Sequence, residues 1–77
     1  MPDKKISTLF TFSLMSNGQK IGSGQRSDYW YVPADSPPDT IDLINKSIGL
    51  VLDHPDIRAK NVSNLMVMAE DIKIFDA

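Results

Sequence analysis

The chain has 77 residues, a formal net charge of −2 and a hydrophobic fraction of 42%. This length predicts one small domain, spanning 1–77. The chain has no cysteine and one histidine, which excludes a disulfide framework and argues against a structural zinc site. Because so small a core barely offsets the entropy cost of ordering the chain, we expect a further source of stability, and a homodimer would provide it.

The N-terminal residues 1–5 are predicted to form a short flexible tail. The residues that follow contain no apolar run long enough for a signal peptide, and no segment of the chain is long enough to cross a membrane. The absence of cysteine fits a reducing compartment. We therefore expect a cytoplasmic protein, in its own cell or in a host cell, with no membrane partner.

Residues 6–15 alternate at period two and are rich in β-branched and aromatic side chains, which predicts a half-buried strand. The Asn17-Gly18 pair that follows predicts a two-residue type I′ hairpin turn, because both residue types tolerate positive φ. The second strand is poor in apolar side chains, and its residues Gly22 and Gly24 indicate a bulge or a strong twist.

A two-residue turn fixes the pairing of the two predicted strands. It places Leu14 opposite Ile21 and Ile6 opposite Tyr29. Because successive side chains of a strand point to opposite faces, Tyr29 is then predicted to face the core and Trp30 the other side.

A stiff, proline-containing connector precedes a predicted helix over 37–53. Ser36 is the expected N-cap, with Pro37 at the first helical position and Asp39 completing a capping box. Pro55 is expected to end the helix. One apolar stripe at helical spacing consists of Ile41, Ile44, Ile48, Val51 and Leu52.

Two apolar surfaces remain uncovered in this scheme. Leu43 and Leu50 lie to one side of the helix stripe, and the strand predicted over 62–69 is apolar on both faces although one helix can cover only one. The predicted dimer contact is therefore either Leu43 with Leu50 or the second strand face, which carries Met66 and Met68.

These elements predict an α+β fold of order ββαβ(β): a small antiparallel sheet with an N-terminal β-hairpin and one helix packed across it. Residues 72–75 form either a last short strand or a C-terminal turn.

The candidates for catalysis are weak. His54 lies between Asp53 and Asp56, but neighbouring side chains at a helix end point apart. Residues 22–24 have the composition of a phosphate-binding loop without the strand-to-helix setting that it needs. The sequence thus predicts no enzyme, no catalytic or metal-binding residue and no cofactor.

The strongest functional feature is Tyr29-Trp30-Tyr31, with Lys20 and Arg26 as a basic rim. Tyrosine, tryptophan and arginine dominate the binding energy of protein interfaces. We therefore expect a non-enzymatic protein-interaction module, a regulator or inhibitor of a partner protein, whose size also fits a phage or mobile-element product. The alternatives are plain core packing of the aromatic residues and a small nucleic-acid-binding protein that uses the basic hairpin.

Overall fold

The structure is a computed structural model that describes residues 3–77. The elements are β1 (Asp3–Ser16), β2 (Gln19–Pro33), α1 (Thr40–Asp53), α2 (Pro55–Arg58) and β3 (Leu65–Asp76). The three strands form one antiparallel sheet in the order β2-β1-β3, and α1 packs on one face. The predicted α+β fold and its ββαβ order are confirmed, and residues 72–75 belong to the last strand.

The N-terminal strand begins earlier than the sequence suggests. Asp3 already pairs with Pro33 and Lys5 with Tyr31, so the predicted tail is wrong for residues 3–5. Residues 1 and 2 lie outside the described part of the chain. The partner strand extends to Pro33, and pairing with it provides hydrogen bonds that a tail would have to find in water.

The hairpin turn at Asn17-Gly18 is confirmed, since both residues have the positive φ that a type I′ turn requires, 51° and 79°. Just beyond it, Leu14 pairs with Gly22 instead of Ile21, so Ile21 is the extra residue of a β-bulge. The predicted register is therefore wrong by one residue from this point. Every later side chain of β2 lies on the face opposite to the one predicted.

Packing explains why the bulge occurs before the two glycines. With Ile21 bulged, Gly22 and Gly24 lie on the helix side, opposite Leu14 and Phe12. A Cβ at position 24 would be only 3.0 Å from Cζ of Phe12, so the phenyl ring occupies the space that glycine leaves. Without the bulge, polar side chains of β2 would occupy this position and pack against the aromatic core.

The core lies between the sheet and α1. Alternate residues of β1 point into it, as predicted, and the rings of Phe10 and Phe12 stack with centroids 5.6 Å apart. Each large side chain buried here contributes about 1.5–3 kcal/mol. The buried hydrophobic residues are Ile6, Phe10, Phe12, Leu14, Leu43, Val51 and Val67.

Helix α1 starts at Thr40, three residues later than predicted. Its N-cap is Asp39, whose side chain accepts a hydrogen bond of 3.2 Å from the backbone N–H of Asp42. Ser36 is not the cap because Pro37 is followed by Pro38, and a residue before proline is disfavoured in helical conformation. The helix can therefore begin only after the second proline.

The buried face of α1 agrees with the predicted stripe only in part: Val51 is buried, and Ile44 and Ile48 are partly buried against the core. Leu43, Ser47 and Val51 point into the core, whereas Ile41 is 72% exposed. Ser47 is fully buried, and its small side chain lets the helix lie close to the sheet. None of the helices within residues 3–77 has the length and apolar character needed to cross a membrane.

Candidate functional site

The face of the sheet opposite both helices, called the open face below, is the candidate site. Odd-numbered residues of β1 point to it, together with their partners on β2 and β3. The outer face of such a sheet normally carries polar side chains. Here it carries five large hydrophobic ones: Tyr29 (66% exposed), Tyr31 (73%), Met66 (60%), Met68 (45%) and Phe75 (51%).

One end of the open face, the aromatic end, consists of Tyr29, Tyr31 and Phe75. Tyr29 and Phe75 both pair with Ser7 on the central strand, so two aromatic residues flank one small side chain. The ammonium group of Lys5 lies 4.4 Å from the centroid of the Tyr29 ring, which is a cation–π contact. The aromatic end thus combines flat apolar surface with a positive charge.

The other end, the methionine end, consists of Met15, Met66 and Met68. Met15 on the central strand pairs with Met66 of β3, and Met68 lies beside it opposite Ser13. Their unbranched side chains can adapt to the shape of a partner surface. The prediction that Met66 and Met68 share a face away from the helix is confirmed, and their role in a dimer remains a prediction.

A polar band separates the two ends. The hydroxyl of Ser13 donates a hydrogen bond of 2.9 Å to Oε1 of Glu70, and Nε2 of Gln25 donates one of 3.3 Å to Oγ1 of Thr11. The pairing of β3 with β1 shifts by one residue here, which leaves Glu70 as the extra residue next to Asp71. The band therefore carries two carboxylates.

Trp30 lies on the helix side of the sheet and is half-buried. Its Nε1 donates a hydrogen bond of 2.9 Å to Oγ1 of Thr8, and the ammonium group of Lys46 on α1 lies 5.9 Å from its ring. The predicted orientation, with Tyr29 inside and Trp30 outside, is wrong because the bulge at Ile21 reverses the faces of β2. The structure therefore brings the two tyrosines, not the tryptophan, to the open face.

The predicted basic rim is divided between the two sides of the sheet. Arg26 lies on the helix side, where Nε and Nη2 donate hydrogen bonds of 2.6 and 2.9 Å to the carboxylate of Asp28. These bonds raise the pKa of the Arg26 guanidinium. Lys20 lies near the methionine end, where it pairs with Met15. Tyr29 pairs with Ser7, eight residues away along β1, so the two side chains are about 27 Å apart. Neither cation borders the tyrosines.

The predicted helix contacts of a dimer are also separated. Leu43 is only 2% exposed and belongs to the core, so it cannot contribute to a dimer interface without unfolding. Leu50 is 36% exposed and lies apart from the open face, on the helix. Leu43 lies on the face of α1 that packs against the sheet and Leu50 does not, so the two residues cannot form one contact.

The side chain of His54 hydrogen-bonds to the backbone at the start of a helix. Its Nδ1 accepts a hydrogen bond of 3.2 Å from the N–H of Asp56, so His54 is the N-cap of α2. The carboxylate of Asp53 accepts a hydrogen bond of 3.4 Å from Arg58 instead of approaching the imidazole. Within residues 3–77 no three histidine, cysteine, aspartate or glutamate side chains are grouped closely enough to hold a metal ion.

Two open-face residues, Lys5 and Phe75, are missed by sequence reasoning. The sequence predicts a tail at Lys5, and Phe75 belongs to a segment whose pattern fits either a strand or a turn. Strand alternation contains the missing signal for Phe75: Ile72 and Ile74 are half-buried on the helix side, so Phe75 must point outward.

Comparison of the chain with protein-family models, with curated proteins and with solved structures gave no match. What the protein does must therefore be inferred from its own residues.

Proposed function

We propose that this protein is a non-enzymatic interaction module that binds a protein partner through the open face. The observation that supports this proposal is the presence of five large, exposed hydrophobic side chains on one sheet face. These side chains form two apolar patches, one at each end of the face, and exposed apolar patches mark contact sites on soluble proteins. Tyrosine is among the residues that contribute most to protein interfaces, and methionine is also enriched there.

A single-stranded nucleic acid is the second candidate partner, because exposed rings on neighbouring strands can stack with bases. The charges on the open face favour a protein. Lys5, Lys20 and Lys73 are opposed by Glu70 and Asp71, which lie in the middle of the path that a phosphate backbone would follow. The chain as a whole is acidic, with a net charge of −2. An apolar methionine end also has no counterpart in a nucleic acid.

The test is site-specific photo-crosslinking in the source cell. A photoreactive phenylalanine analogue at Tyr31 reports on the open face, and the same analogue at Ile41 is the matched control because both side chains are more than 70% exposed. We expect a protein crosslink from position 31, none from position 41, and loss of the crosslink when Phe75→Glu is added. Equal crosslinking from both positions would contradict the proposal.

The nucleic-acid alternative is tested by anisotropy of a labelled single-stranded oligonucleotide at two salt concentrations. Trp30 fluorescence is unsuitable as the reporter because its ring lies on the helix side. We expect no binding. Binding that weakens with salt and is lost in Tyr31→Ser would replace the protein partner by a nucleic acid.

A further inference from the structure

We infer that the partner on the open face is a second copy of this chain, docked face to face; this inference rests on the proposed function of that face. The two apolar ends lie about 27 Å apart along β1, with the polar band midway between them. A two-fold axis that crosses the strands at Thr11 therefore places the aromatic end of each copy on the methionine end of the other. A surface that matches itself in this way is what a symmetric dimer requires.

The apolar ends are complementary in chemistry. Ser7, which is flanked by Tyr29 and Phe75, is as far from Thr11 along β1 as Met15 is on the other side. In the dimer, Met15 of one copy thus faces Ser7 and the two flanking aromatic residues of the other. Contacts between methionine sulfur and aromatic rings are favourable, and the flexible thioether can fill an irregular gap.

The charges select the same arrangement. Lys73 pairs with Leu9 on one side of Thr11, and Glu70 hydrogen-bonds to Ser13 on the other side. The axis across the strands brings Lys73 of each copy opposite Glu70 of its partner. An axis along the strands would instead place β3 of each copy on β2 of the other, so Lys73 would face Ser27, which also pairs with Leu9, and this ion pair would not form.

The available area is sufficient for a specific interface. The shortest strand, β3, has 12 residues, so the face measures about 41 Å by about 14 Å across three strands. Two copies would together bury about 1,100 Å², which is at the lower end of specific protein interfaces. Asp71 pairs with Thr11, so its carboxylate faces its own copy at the axis, and Lys73 of each copy, two residues away along β3, offsets this repulsion.

Sedimentation equilibrium tests the dimer. We expect the full-length wild type to be a dimer at micromolar concentration, and Phe75→Glu to raise the dissociation constant by about thirtyfold or more. Ile41→Glu is the matched control, because it adds the same charge at an exposed apolar position on the helix, and we expect it to leave the constant unchanged. A monomeric wild type, or an unaffected Phe75→Glu dimer, would overturn the inference.

A charge exchange tests the orientation. Lys73→Glu and Glu70→Lys should each weaken the dimer, and an equimolar mixture of the two should restore it, because the mixed dimer contains both ion pairs, one in its original sense and one reversed. Failure of the mixture to recover would refute the proposed axis. Photo-crosslinking distinguishes failure of the dimer from failure of the proposed function. If the chain is monomeric and still crosslinks another protein from position 31, the dimer is refuted and the protein-binding role of the open face is not.

Discussion

Ser47→Ala should stabilise this protein, although it removes a polar side chain from the interior. Ser47 is fully buried on the sheet-facing side of α1, and its Oγ has no hydrogen-bond partner. An unpaired buried hydroxyl costs about 1–3 kcal/mol, which the substitution recovers. Alanine also exceeds serine in helix propensity by about 0.5 kcal/mol, and the loss of one oxygen atom leaves little empty space. We expect a net gain of about 1–2 kcal/mol in the free energy of unfolding.

Urea denaturation followed by far-UV circular dichroism measures this gain, at one fixed protein concentration because association also contributes to stability. Asn45→Ala is the control: Asn45 is exposed on the same helix, so its replacement changes helix propensity without changing burial. The gain at position 47 should exceed the gain at position 45. If Ser47→Ala unfolds at a lower urea concentration than wild type, the hydroxyl has a partner in solution and the reasoning is refuted.

Three further substitutions test other parts of the fold by the same measurement. Gly24→Ala should lower the free energy of unfolding by about 1–3 kcal/mol, because a new Cβ at 3.0 Å from Cζ of Phe12 forces the ring to move. An unchanged urea midpoint would show that the ring does not define the register. Trp30→Phe should lose about 1–2 kcal/mol, because buried Thr8 loses its hydrogen bond from the indole. Gly49→Ala should raise the free energy of unfolding by about 1 kcal/mol, because the space around this helical glycine is open. A lower free energy of unfolding would show that another group lies against that side of α1.

Two bulges determine what the open face presents. The first, at Ile21, turns the exposed rings of Tyr29 and Tyr31 outward and Trp30 toward the helix. The second, at Glu70, adds a carboxylate to the polar band. Bulges commonly re-aim side chains at functional positions, and in this protein they decide which aromatic and charged groups a partner meets.

Local sequence is sufficient to predict the fold class, the N-terminal hairpin and the main helix, although not the bounds of every element. The alternation from Ile6 to Leu14 predicted a strand with its large side chains on one face, and Asn17-Gly18 predicted the hairpin turn. Both predictions depend only on interactions between near neighbours in the chain, and the structure confirms them. The opposite facings of Met66 and Val67 also followed from strand alternation alone.

Only the tertiary structure decided which face of β2 and of α1 is buried and which is exposed. The face of β2 depends on one extra residue, Ile21, whose position is set by the fit of Phe12 over Gly24 across two strands. The buried face of α1 depends on packing against the sheet, which centres it on Leu43, Ser47 and Val51 and leaves Ile44 and Ile48 at its edge. These choices arise from packing between distant segments, and a shift of one residue reverses a strand while leaving its local pattern unchanged. The sequence therefore pointed to the aromatic cluster as a contact site, and the packing determined that its tyrosines are the exposed members.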